Sequence, residues 1–305
     1  MMMTKCSTVC EMPLHSRLAM TLALAMTTTR TKVQYESGEL PQRLSYGEDY
    51  IRDFDANAYV KKNYFNEPPV DNVVEPFVLK NLHDFYTKTA EFSLDSASIL
   101  EFGGGAAVSH LISATPYASN IVFADYSPSA LNAVDEWKKA PFTREHQNDW
   151  RDFFRYVVCD LERNADDDGD ELIRRASQLK GKLSSLVPCN ILSDTPLGNN
   201  DYDQRFDVVS SAFCLEVASR TYEQYKLSVK KLVNFLKGSG SWLVLHCFLG
   251  AIGYCVGEKT FFALPLKEDV VKEALDEAGF RLVKFDYEPE KANCQALCHA
   301  VGQLK

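Results

Sequence analysis

Ser98-Ile99-Leu100-Glu101-Phe102-Gly103-Gly104-Gly105 is an apolar run that ends in three glycines, and its reading decides the fold. Ser98 to Phe102 has the length of a buried strand, and Ala106 to Ala114 reads as the helix that follows. A glycine turn between strand and helix lets backbone approach a ligand closely, because no side chains intervene. The start of the next helix can then hold an anion. Alone the turn is unspecific, since nicotinamide and flavin enzymes share it. The full G-x-G-x-x-G is not met, because Val108 stands three residues after Gly105.

Outward from the turn, strands and helices alternate. Asn120 to Tyr126 predicts a strand ending in Asp125, and Pro128 opens a helix through Trp137. Arg155 to Cys159 reads as extended, Glu171 to Leu179 as a helix and Leu183 to Ile191 as a strand. Phe206 to Phe213, a helix from Thr221 to Leu236, the strand Trp242 to Cys247 and a helix from Lys267 to Ala278 follow. Arg281 to Tyr287 and Gln295 to Val301 close the chain as two strands with no helix between them, the mark of an antiparallel edge. The expected fold is α/β, a Rossmann-like seven-stranded sheet of the methyltransferase form, with six parallel strands, one antiparallel edge strand and an N-terminal helical lid.

That lid is read from Tyr50, Phe54, Tyr59, Val60, Tyr64 and Phe65, an aromatic stripe at mostly helical spacing. Pro68 and Pro69 break the chain before a second helix over Val70 to Tyr86. Asp125 lies 22 residues beyond Gly103, at the end of the next strand. A carboxylate there accepts hydrogen bonds from both hydroxyls of a ribose, whether the ligand is a dinucleotide or S-adenosylmethionine. Glu101, an acid inside a buried strand, needs a partner or a cation to face.

Composition narrows the rest. The 305 residues are 46% hydrophobic and carry a net charge of -9, with Lys and Arg in short pairs only, which argues against nucleic acid as partner. Nine cysteines without a CxxC pair suit reduced, buried thiols, and no metal site is expected. The acidic turn Asp166 to Asp170 lacks the ligand spacing of a calcium loop. Leu18 to Met26 is too short to span a bilayer, so no membrane association is expected. Residues 1–45 are expected to be a disordered extension and residues 46–305 the catalytic domain, its lid helices within 46–90. Cytoplasmic location is expected, or organellar if residues 1–30 act as a transit peptide.

Several separated stretches resemble one family, the nicotinamide, phenylethanolamine and indolethylamine N-methyltransferases. They are Tyr50-Ile-Arg-Asp-Phe54 with Tyr59 and Asn63-Tyr64; the glycine turn leading to Leu111-Ile112-Ser113-Ala114; and Asp125-Tyr126-Ser127 with Trp137. Cys159-Asp160-Leu161-Glu162, Ser211-Ala212-Phe213-Cys214-Leu215-Glu216 and Gly257-Glu258 with Leu264-Pro265-Leu266 complete the set. The resemblance runs from about Tyr46 to Leu304. It implies S-adenosyl-L-methionine as cofactor, a small-molecule methyl acceptor bearing a nitrogen (a pyridine such as nicotinamide, or an arylalkylamine), and a monomer.

The resemblance also implies roles. Tyr59 and Tyr64 would close over the cofactor, Gly103, Gly104 and Gly105 would meet its amino-acid part, and Asp125 its ribose. Asn190 and Ile191 would flank the adenine, although the family has Asp where Asn190 stands. Ala212 would line the methionine side. Glu216 and Tyr50 would serve the acceptor as catalytic residues. Three departures stand out: Ser109 replaces a tyrosine, Ala130 an asparagine, and His246-Cys247-Phe248-Leu249-Gly250-Ala251 lacks the family's substrate-side acids. With Glu216 kept and those acids gone, a neutral or aromatic nitrogen is the favoured acceptor. Two rival readings are a non-catalytic cofactor-binding protein and a nicotinamide-dependent oxidoreductase.

Overall fold

The computed structural model describes residues 44–64, 73–89, 93, 95–142, 150–164, 169–199, 201–289 and 294–305. The extension before residue 44, residues 65–72 with their two prolines, and most of the acidic turn at Asp166 lie outside the described residues.

Seven strands form the main sheet. In chain order they are β2 (Ala97–Phe102), β3 (Ala118–Asp125), β4 (Leu183–Pro188), β5 (Val208–Ala212), β6 (Trp242–Leu249), β9 (Phe280–Pro289) and β10 (Ala296–Leu304). Their spatial order is β4-β3-β2-β5-β6-β10-β9. The first five are parallel, while β10 runs antiparallel to both β6 and β9. Six strands therefore share one direction, as the sequence predicts. The antiparallel strand, however, is not the edge: β10 sits one place in, and β9 takes the edge. A short connection from β9 can place β10 beside it on either side, and pairing with β6 as well lets β10 be covered on both faces. β10 is buried from Ala296 to Gly302, whereas much of β9 is exposed.

Side-chain alternation splits the core in two. Ile99 of β2 and Val208 of β5 face a layer with α3 (Val74–Lys88), α4 (Pro128–Lys139) and α6 (Asp170–Lys182). Leu100 and Val209 face the opposite layer, with α8 (Tyr222–Leu232) and α9 (Glu268–Glu277). Local signals start these helices. Ser127 caps α4 by accepting from Ala130 N with Pro128 at the first position, and Thr221 caps α8 from Gln224 N.

The lid is built from short pieces. A turn at Gly47–Asp49 leads into α1 (Tyr50–Asp53) and, after Asp55 accepts from Ala58 N, into α2 (Ala56–Asn63). β1 (Leu44–Ser45) pairs with β8 (Lys259–Phe262), which forms a hairpin with β7 (Gly253–Val256). Leu44 and Ser45 are thus strand residues, in register with Thr260 and Phe261.

Two other expectations fail. Arg155 to Cys159 is not extended: α5 (Arg151–Arg155) runs into a wide helical turn over Tyr156–Leu161 that buries Val157 and Val158. Burial against helices there overrides the β preference of two adjacent valines. Ala106 to Ala114 is not a regular helix. Past Gly105 the chain makes turns and a single 3-10 turn at Ser109–Leu111, fully buried.

Candidate functional site

The carboxyl ends of β2, β3, β5 and β6 face one cavity of about 410 Å3. It opens where strand order reverses, between β2 and β5, the place where doubly wound sheets bind ligands. Its size suits one small molecule or cofactor.

The glycine turn forms one wall. Gly103 and Gly105 adopt φ of +74° and +62°. A Cβ at Gly103 would meet Cys214 Sγ at 2.0 Å, and one at Gly104 would meet the Phe123 ring at 2.4 Å. Absence of side chains at these two positions therefore serves close packing within the protein. At Gly105 the nearest atom to an added Cβ is Tyr59 Cε1, at 3.9 Å, so this is the glycine open to the cavity. No regular helix follows, so the anion-holding helix start expected there is missing.

Asp125 ends β3 opposite the turn. Its Oδ2 accepts from Gly105 N at 2.7 Å and its Oδ1 from Ser127 N at 2.8 Å. Each oxygen keeps a further lone pair, so the group is fixed in position yet still able to accept. Burial raises its pKa to about 6, against the pull of the amide hydrogen bonds. Beyond β4, Ile191 is buried while Asn190 is exposed, and both line the cavity. Asn190 Oδ1 accepts from Leu192 N at 3.0 Å, which leaves its amino group and one lone pair available. Ala212, at the end of β5, also lines the cavity.

The aromatic stripe forms the opposite wall. Tyr50 stacks on Phe54 at 5.3 Å and meets Phe261 of the hairpin at 4.4 Å. Tyr59 contacts Phe54, Tyr64 and Tyr254, and Tyr64 packs edge-on against Trp150 at 5.0 Å. Burial pushes the Tyr59 phenol up to about 12 and Tyr64 well above its ordinary value, so both stay neutral. Tyr50 Oη is buried and has no hydrogen-bond partner among the described residues. A buried hydroxyl lacking a partner on a cavity wall is what a ligand would satisfy.

Glu216 does not join them. It lies on α7 (Leu215–Ala218), is 1% exposed, and its Oε1 accepts from Phe248 N at 3.0 Å. Its side chain faces the β6 backbone and is absent from the cavity lining among the described residues. Burial raises its pKa to about 7, against that amide bond. In its place the wall is apolar, with Phe213 and Phe248 stacked at 4.2 Å beside Val217 and Ala218. His246 is buried behind this wall, its Nε2 paired with His299 Nδ1 at 2.9 Å. Burial holds both imidazoles far below the ordinary range, so they are neutral packing groups.

Several lining residues were not legible from sequence. Tyr254 and the hairpin that carries it are too short for a periodic signal. Arg220, over the Tyr46 ring at 4.6 Å and ion-paired with Glu48, follows no motif. His110 gave no signal beyond its position shortly after the glycine turn.

Comparison with known proteins agrees. Human nicotinamide N-methyltransferase is 28% identical over 265 residues, covering 83% of this chain and 94% of that protein. Mouse indolethylamine N-methyltransferase is 26% identical, covering 83% and 89%, and pig phenylethanolamine N-methyltransferase 25%, covering 75% and 78%. Among solved structures, magnesium protoporphyrin IX methyltransferase from Synechocystis PCC 6803, with bound SAM, aligns at a TM-score of 0.53. That pair shares 9% identity over 87% of this chain and 100% of the other, a likeness of fold. None of these relatives lends support to an oxidoreductase. The model of the NNMT/PNMT/TEMT family matches residues 42–302, a span that takes in lid, glycine turn and closing strand pair together. The chain belongs to that family and is an S-adenosylmethionine-dependent N-methyltransferase.

Proposed function

We propose that the acceptor is a small planar molecule whose nitrogen carries a free lone pair at neutral pH, a pyridine-type ring in preference to a protonated alkylamine. The observation that carries this reading is the position of Glu216, turned to Phe248 N and away from the cavity. A primary amine is mostly protonated at neutral pH and must lose a proton before it attacks, which calls for a base within reach. The carboxylates that line the cavity among the described residues are Asp125, bound by two amides, and Glu48, bound by Arg220. A pyridine nitrogen needs no base, and the Phe213–Phe248 pair, Tyr50 and Tyr254 offer flat apolar surfaces to a ring.

The residues present fit S-adenosylmethionine. Asp125 would accept from the ribose hydroxyls, Ile191 and Asn190 would flank the adenine, and Ala212 and Gly105 would line the methionine part. Tyr59 and Tyr64 would cover it from the lid. Bound there, the cofactor supplies a methyl group on a sulfonium, already positively charged and activated for in-line displacement. The protein's contribution is to hold the acceptor nitrogen in line and exclude water. Tyr50, with its buried hydroxyl and stacked ring, would orient the acceptor as a positioning residue. Glu216 would act through the Phe248 backbone and not on the acceptor, which revises the catalytic role that the family resemblance implies. Cysteines that are all free thiols among the described residues favour a cytoplasmic site of action.

A screen of radiolabelled methyl transfer over pyridines, arylalkylamines and small thioethers tests the reading. Turnover of one or more pyridines, with primary alkylamines slower, is expected. Turnover of a primary alkylamine with no pyridine accepted would overturn it.

A further inference from the structure

Beside the glycine turn, a buried histidine is held between two buried acids that come from different layers. His110 follows Ser109 in the 3-10 turn, its side chain is 4% exposed, and the residue is among those lining the cavity. Nε2 lies 3.4 Å from Glu75 Oε1, brought in by α3. Ser109 gives its hydroxyl to the other oxygen of Glu75, at 3.3 Å. On the opposite side, His110 Nδ1 is 4.0 Å from Glu101 Oε1, beyond hydrogen-bond reach. Nδ1 has no hydrogen-bond partner among the described residues, although it is buried. Leaving such a nitrogen unsatisfied is costly unless a ligand completes it.

We propose that His110 is a cofactor-binding residue that presents Nδ1–H to the carboxylate of the methionine part of S-adenosylmethionine, with Glu75 bonded to Nε2–H. Both ring nitrogens carry hydrogen only in the imidazolium form. Burial alone would disfavour that form, but the charge and hydrogen bond of Glu75, with the charge of Glu101, outweigh it and raise the His110 pKa. Burial in turn raises Glu101 to about 7, so it is partly protonated at neutral pH and a weak competitor for Nδ1–H. Charge then selects the partner. The cofactor bears two positive groups, sulfonium and ammonium, and one negative group, its carboxylate. An imidazolium on the cavity wall is tolerated only against the last. The same cavity is lined by Gly105, Tyr59 and Tyr64, the residues assigned above to the methionine part and its cover.

The inference rests on the methyltransferase reading, and the test separates the two. Calorimetric titration of the full chain compares S-adenosylhomocysteine, which has the carboxylate, with 5′-methylthioadenosine, which has neither carboxylate nor ammonium. His110→Ala should weaken S-adenosylhomocysteine by about tenfold or more, the loss of one charge-assisted hydrogen bond, and leave methylthioadenosine within about twofold. His110→Gln, which can still donate to Glu75, guards against misfolding and should fall between wild type and His110→Ala. Equal weakening of both ligands, or no change in either, would overturn the assignment. Wild-type protein that bound neither ligand would overturn the methyltransferase reading itself.

Discussion

The two ends of the cavity are made differently. At the proposed cofactor end, Gly103 to Gly105, Asp125 and Ala212 stand at the ends of central parallel strands, tied by backbone hydrogen bonds such as Gly103 N to Ala124 O at 2.8 Å. At the proposed acceptor end, Tyr50, Tyr254, Phe213 and Arg220 come from lid, hairpin and loops, with Phe248 at the end of β6, and they meet through rings and an exposed ion pair. A site fixed by sheet backbone tolerates little change, whereas one assembled from loops can vary its side chains freely. The proposed roles follow this contrast: Asp125 stands at a strand end for the ribose, while His246 to Ala251 carries no acid.

Substitutions can break that contrast. Gly103→Ala should have the largest effect, since its φ of +74° and the contact with Cys214 leave no room for a methyl group. A loss of about 2–4 kcal/mol in denaturant unfolding is expected, with cofactor binding lost alongside. Asp125→Asn should weaken S-adenosylhomocysteine by about 10–100-fold with little change in acceptor KM. Wild-type affinity should also fall as pH drops below about 6, because Asp125 accepts hydrogen bonds fully only when ionised. The Asn variant should lack that fall in direct binding measurements.

Glu216→Gln sharpens the comparison from the other side. It should keep turnover of a pyridine within about fivefold and leave its pH profile unmoved, while costing about 1–2 kcal/mol in stability. A hundredfold drop in kcat with the fold intact would put an acid back at the acceptor end. Arg220→Ala should matter least, moving Tm by no more than about 2 °C, because the ion pair with Glu48 is exposed on both sides. Acceptor KM is the readout that would reveal more.

The same contrast governs how much was legible beforehand. Strands β2, β3, β5 and β6 announce themselves as apolar runs because both faces of the sheet are covered. Asp125 and the glycine turn sit at their ends, so the cofactor end is readable once the strands are. The acceptor end depends on long-range packing that no local pattern encodes. Phe248 and Cys247 are neighbours on β6, yet alternation sends one to the cavity and the other to the opposite core. Glu216 matched a family position, but its orientation is set by Phe248 N, 32 residues away. His110 became interpretable only when α3 delivered Glu75 from 35 residues upstream.

The place of β10 has a consequence for how the molecule is made. β6 and β9 are not paired with each other; β10, later in the chain than either, is the shared neighbour that joins them. During synthesis the sheet must therefore wait with an open seam beside β6, and β9 has no partner until the chain past Ala296 leaves the ribosome. Domains complete their folding as units, and a unit whose last strand is interior cannot close early. A stop codon just before Ala296 would accordingly cost the sheet two strands and not one, exposing Cys247 and Leu249 of β6 as an apolar seam open to aggregation.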